Sequence, residues 1–130
     1  MKKEIKNRFG VKVGDIFSSS WGYDETHNSF FQVVKVIGET SVRVREINPV
    51  VISVDHVGPM SEDITYKLTR DLLPPSSFSV FIKDQKNGDL KRLKSFRADG
   101  VSDPQFYLSS FANAYYCKPG TIEVYESNYR

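Results

Sequence analysis

Polar and apolar positions alternate most cleanly over "SVRVREI", residues 41–47, where Val42 and Val44 fall on one side and Arg43 and Arg45 on the other. A period of two predicts a β-strand with one buried and one wet face. The preceding "FFQVVKVI" supplies a partner strand, and Gly38-Glu39-Thr40 supplies the turn, so residues 30–47 predict a β-hairpin. "VKVGDIF", residues 11–17, predicts an opening strand with a turn or bulge at Gly14-Asp15. Residues 18–29 are rich in Ser, Gly, Asp, Thr and Asn and predict a long loop that carries the single tryptophan, Trp21.

Beyond Pro49, "VVISVDHV" over 50–57 predicts a strand that ends at Gly58-Pro59, in which His56 shares the parity of Ile52 and Val54 and is expected to be half-buried. "ITYKLTRDL" over 64–72 alternates Ile64, Tyr66 and Leu68 against Thr65, Lys67 and Thr69 and stops before Pro74-Pro75. Asn87-Gly88 has the residue types of a type I′ turn, which predicts a second hairpin over 78–97. In 103–117, Asp103 suits a helix cap and Pro104 a first helical position. Tyr107, Leu108, Phe111, Ala112 and Tyr115 then recur at helical spacing and predict a helix over 104–116.

Six or seven short strands and one late helix imply an α+β fold that is mainly β. The expected form is a small, strongly bent antiparallel sheet or an SH3-like barrel, with the C-terminal helix over one opening. At 130 residues without repeats or low-complexity linkers, the chain is expected to form a single domain over 1–130.

Composition adds limits. Aromatic residues make up 13% of the chain, which favours sheet. A net charge of +2 is too small to imply a polyanion partner by itself, so electrostatic reasoning must be local. One cysteine, Cys117, makes neither an internal disulfide nor a multi-cysteine metal site and is expected to be a packing residue. "MKKEIKNRFG" lacks the apolar segment of a signal peptide, and no stretch approaches the ~18 apolar residues of a membrane span. The expectation is a soluble, cytoplasmic protein with no membrane partner.

Ser20, Trp21, Gly22, Tyr23, Asp24 and Thr26, followed by Phe30, Gln32 and Val33, form an ordered string. Here the chain resembles a family of small uncharacterised phage and mobile-element proteins, whose recurring feature is Ser-Trp-Gly-Tyr-Asp-Gln-Thr-Asn followed by Phe-Tyr-Gln-Val. Glu25 stands in place of the usual Gln. "VKVGDIF" is similar to the family's opening strand, and "FANAYYCKPG" to its tail, with Tyr116 and Cys117 where the family tends to have Leu-Trp. The resemblance covers about a third of the chain and implies a phage or plasmid setting rather than a reaction.

No phosphate-binding glycine loop, nucleophile elbow or zinc-ligand spacing is present, so the chain is expected to be no enzyme and to hold no cofactor. His27, Asp55, His56 and Cys117 are scattered without metal-ligand spacing. Asp24 with His27 has the residue types of an acid–base pair, but a loop spacing guarantees no contact.

Two binding readings follow. In the first, Trp21, Tyr23, Asp24 and Glu25 contact a host protein, with Trp21 itself folded over a barrel end and Tyr23 and Glu25 on its rim. The phage-like setting makes a host-defence inhibitor, of anti-CRISPR or anti-restriction type, the expected role. In the alternative, Lys83, Lys86, Lys91, Arg92, Lys94 and Arg97, interleaved with Phe81 and Phe96, bind nucleic acid. The bland counterpart of the latter is a solvated hairpin whose lysines discourage edge pairing.

Overall fold

A computed structural model describes residues 9–21, 27–59, 61–69, 71–77, 79–94, 104–109, 112–117 and 122–128, the last span as backbone alone. The strands are β1 (Ile16–Trp21), β2 (His27–Val36), β3 (Ser41–Ile47), β4 (Val50–Gly58), β5 (Ser61–Lys67), β6 (Asp89–Arg92), β7 (Gln105–Ser109), β8 (Ala112–Cys117) and β9 (Ile122–Asn128). They form one sheet of six, in the order β6-β3-β2-β1-β8-β7, and one of three, β4-β5-β9, paired antiparallel throughout.

The larger sheet bends until its two ends meet. Just past β6, Lys94 bridges Gln105 at the start of β7: the Lys94 N–H donates to the Gln105 carbonyl at 2.8 Å, and the Gln105 N–H returns the bond at 2.9 Å. The result is a nearly closed barrel, a form that satisfies edge groups otherwise open to foreign strands.

Alternation along the strands divides the apolar residues between two cores. Phe17, Phe31, Val33, Val42, Val44, Phe106 and Ala114 point into the barrel, joined by Val11, Ile82 and Leu93. Rings stack through this interior: Phe17 lies 5.0 Å from Phe106 and 5.7 Å from Tyr116, and Phe31 lies 6.1 Å from Phe106 and 6.2 Å from Phe81. On the opposite face Ile16, Phe30, Ile47 and Cys117 pack beneath Tyr66 and Leu68, with Ile64 and Leu73 at the margin. The smaller sheet therefore covers one outer flank of the barrel. Adjacent phenylalanines 30 and 31 serve different cores, which is why β2 has no polar face in its middle.

Gln32, fully buried, ties the following segment to the same flank. Its side-chain amide donates to the carbonyls of Gly14 (3.1 Å) and Asp71 (2.8 Å), and its Oε1 accepts from the Leu73 N–H at 2.9 Å. These bonds bring 71–73 against β2 without a strand, meeting the buried amide's needs in full.

The 30–47 hairpin has the expected partners, with Val33 opposite Val44 and Val36 opposite Val42 around a bulge. Several other expectations are corrected. No helix occurs among the described residues: the 104–116 stretch contains β7 and β8, with Phe106 opposite Ala114 and Tyr107 opposite Asn113. The helical stripe was an accident of residue order. Pairing of β8 to β1 imposes a period of two, which buries Ala112 and Ala114 under the phenylalanines and leaves Tyr115 outside. Pro104 accepts a bond from the Tyr116 N–H at 3.2 Å instead of opening a helix.

The second hairpin is also absent among the described residues, since 79–88 hold no strand. Asp84 accepts from the backbone N–H groups of Lys86 and Asn87 at 3.1 and 3.0 Å, and Asp89 from those of Lys83 and Asp84 at 2.8 and 3.0 Å. With these donors satisfied by carboxylates, 83–88 coils into a loop and β6 pairs with β3. Gln85 substitutes for a missing neighbour strand: its Nε2 donates to the Glu46 and Ser76 carbonyls, and its Oε1 accepts from the Glu46 N–H at 2.7 Å.

The 18–29 loop is mostly strand, since β1 runs to Trp21 and β2 begins at His27. The opening strand starts at Ile16, because Lys12–Asp15 form a turn closed by Asp15 N–H to Lys12 carbonyl, 3.1 Å, with Gly14 at φ +96°. His56 is not half-buried: its side chain is 72% exposed, and its Nδ1 lies 3.7 Å from Glu62. No helix of the described residues is long and apolar enough to cross a membrane.

Candidate functional site

Trp21 closes one end of the barrel. Counting from Phe17, every second residue of β1 faces inward, which brings Ser19 and Trp21 to the inner side opposite Ser29 and His27. The indole N–H donates to the Ser29 hydroxyl at 2.8 Å, the ring stacks on His27 at 4.6 Å, and its edge meets Phe81 at 5.1 Å. Through Phe81 it joins the aromatic stack of the interior. The polar stretch thus carries a tryptophan because the strand delivers it to the barrel mouth, where a large ring with one donor covers apolar side chains while its N–H stays bonded. Trp21 is half-buried, and Trp21→Ala is expected to cost about 3 kcal/mol, the low end of the range for truncating a large aromatic. Denaturant unfolding checks this, and in the wild type the fluorescence should be blue-shifted and resist acrylamide.

Tyr23, Asp24 and Glu25, the other residues expected to contact a host protein, lie outside the described residues, so the Asp24–His27 pairing does too. His27 itself is engaged with the indole. Cys117 is buried and donates its thiol to the Ser18 hydroxyl at 3.2 Å, a packing environment. Among the described residues no three His, Cys, Asp or Glu side chains converge as a metal site.

Strand parity splits the basic run. Lys83 and Lys86 are exposed on the 83–88 loop. Lys91 lies opposite Val42 on the inward side and is half-buried, whereas Arg92, opposite Ser41, and Lys94 are exposed on the outer side. Arg97 and Phe96 lie outside the described residues, and Phe81 is no surface ring because it packs between Trp21 and Phe31. Hydrogen bonds from Asn87 hold the Asp84 carboxyl below the usual range. Asp84 and Asp89 are thereby turned toward backbone donors, and among the described residues neither Arg92 nor Lys94 has a carboxylate partner.

Barrel closure brings Lys94, on the outer side, to Tyr107, a ring whose sequence spacing predicts a helical face. The Lys94 ammonium sits 4.4 Å from the centroid of Tyr107. Tyr107 and Tyr115 are 48% and 52% exposed, both on the outer side of the β7–β8 pair. Lys94, Gln105, Phe106, Tyr107 and Asn113 border a shallow depression there.

The second exposed surface is β4. All nine of its residues are exposed, and Val50, Val51, Ile52, Val54 and Val57 each keep 45–57% of their surface in water. Among the described residues only β5 pairs with it, and no described strand lies along its other edge. Val51 and Val54 lie opposite Tyr66 and Ile64, on the face that reaches the second core, but they overhang beyond it. Breaks in register at Val51/Ser53 and His56/Gly58 leave Ser53–His56 as its regular centre. A signal existed in the sequence: apolar residues occupy both parities of this strand, a pattern that an ordinary half-buried strand does not need.

At the far mouth of β3, Glu46 accepts a bond from the Ser79 hydroxyl at 2.7 Å, and burial pushes its carboxyl pKa up.

No protein-family model, curated protein or solved structure matches the chain.

Proposed function

We propose that this chain is a non-catalytic accessory protein of a phage or mobile element, acting in the cytoplasm of a bacterial host by binding a host protein. The observation that carries the binding role is β4: a nine-residue strand with five exposed Val and Ile side chains and one edge that no described strand pairs. Soluble proteins ordinarily blunt such edges with Lys or Pro, and β4 contains neither. An extended segment of the partner adds to this edge as a fourth strand, with main-chain bonds supplying affinity and alternate valines supplying pockets. The genetic setting rests on the resemblance of residues 11–33 and 111–120, and inhibition of a host-defence machine, of anti-CRISPR or anti-restriction type, is the role that fits it. Trp21 contributes by holding the barrel mouth, and Tyr23, Asp24 and Glu25, which follow it in sequence, are the further contacts of this reading.

Replacing Val51 and Val57 by Lys should leave the melting temperature within a few degrees, since both are half-exposed, and abolish capture of the host partner from lysate. In the captured complex, hydrogen exchange should slow across 50–58. Self-association that the two lysines abolish, with no host protein protecting these amides, would assign the edge to a second copy and remove this reading.

A further inference from the structure

We propose that the outer face formed by β6, β7 and β8 binds single-stranded nucleic acid, with Arg92 and Lys94 on phosphates and Tyr107 and Tyr115 under bases. This surface is separate from β4 and does not depend on the host-protein reading.

The grouping is a product of closure. Arg92 and Lys94 share an outer face because Leu93 between them is buried in the barrel. The Lys94–Gln105 bridge continues that face onto β7, where Gln105 lies opposite Tyr115 and Tyr107 opposite Asn113. Tyr107 and Tyr115 are therefore diagonal neighbours, about 7–8 Å apart at the backbone. On the other side the strip continues to Arg43 and exposed Lys35, which are paired across β3 and β2.

Charge and chemistry narrow the occupant. The acidic residues of the segment, Asp84 and Asp89, keep their charges but are bonded to backbone donors in the 83–88 loop, with Asp84 facing Arg43, and among the described residues neither forms an ion pair with Arg92 or Lys94. A half-exposed ring with an ammonium over it, 4.4 Å from its centroid, puts a cation and an aromatic surface within one step of each other, which matches a ligand that joins a flat π-face to an anion within one repeating unit. A nucleotide has that chemistry. Stacking needs the face of a base, which a duplex hides, so the strand must be single.

The test is fluorescence anisotropy with a labelled oligothymidylate of about 15 nucleotides, near the upper site size of a small barrel. Affinity should fall with salt with a log–log slope of about −0.7 per phosphate, or about −1.4 for two contacts. Arg92→Ser with Lys94→Ser should flatten that slope. Tyr107→Leu and Tyr115→Leu should each weaken binding about 10-fold, within the range for losing one stacked base, while Tyr107→Phe keeps it. The tyrosines are exposed, so circular dichroism melts should not separate the Leu and Phe variants. Equal affinity for blunt duplex, binding of heparin with no effect of either tyrosine, or no binding in low salt would overturn the proposal. Host-protein capture through β4 should survive Tyr107→Leu.

Discussion

Val44→Asp is expected to abolish cooperative unfolding, while Arg43→Ser, one residue away, should lower the melting temperature by only a few degrees. Val44 has no exposed surface and lies opposite Val33 on the inner side of the hairpin, among Val42 and Phe31. A carboxylate placed there is cut off from water and lies directly opposite Asp89, with Lys91 only diagonal to it, and the cost of several kcal/mol is comparable with the ~5–15 kcal/mol stability of a whole domain. Arg43 faces out and donates to the Gly88 carbonyl at 3.0 Å, a bond worth about 1 kcal/mol. Thermal melts followed by far-UV circular dichroism distinguish the two. Similar melting of both variants would show that 41–47 does not present alternate faces to core and solvent.

Gly88→Ala should cost about 2–5 kcal/mol, although it adds one methyl group. Gly88 sits at φ +87°, a region that costs L-residues about 1–2 kcal/mol. A Cβ there would lie 3.0 Å from both the Val44 carbonyl oxygen and the Val34 Cγ2, and overpacking of this kind costs about 1–3 kcal/mol more. The oxygen is backbone in the middle of β3 and has no rotamer by which to retreat. Gly38→Ala is the control, because nothing lies within 4 Å of its added Cβ. Urea denaturation should separate the two variants clearly. Equal stability would mean that the 83–88 loop does not press against β3, and the docking of β6 would need revision.

How far each region could be read in advance depended on how local its determinants are. The hairpin of β2 and β3 was legible because its turn and its alternation lie within one short stretch and agree. In 83–97 the local cue misled: Asn87-Gly88 carries the residues of a tight hairpin turn, yet the carboxylates of Asp84 and Asp89 satisfy the backbone first. In 104–117 Tyr107 and Tyr115 lay on a helical stripe, and strand pairing placed them outside the barrel instead. The candidate cations could be picked out by residue type but not assigned to a face, since parity on β6 becomes visible only once β3 is known to be its neighbour. β4 was recognised as a strand, but its exposure was not, because burial depends on which element arrives to cover it.

The chain by itself determined the β-rich class, the hairpin around Gly38, the turn at Gly14-Asp15 and the lone buried thiol, because period-two patterning and turn chemistry act between near neighbours in sequence. Tertiary structure alone decided which sides of β1 and β2 face which core, that Trp21 stands at a barrel mouth, that Lys94 meets Tyr107, and that among the described residues only β5 pairs with β4. Each of these rests on pairings between residues far apart in the chain, and no local pattern encodes the identity of a distant partner strand.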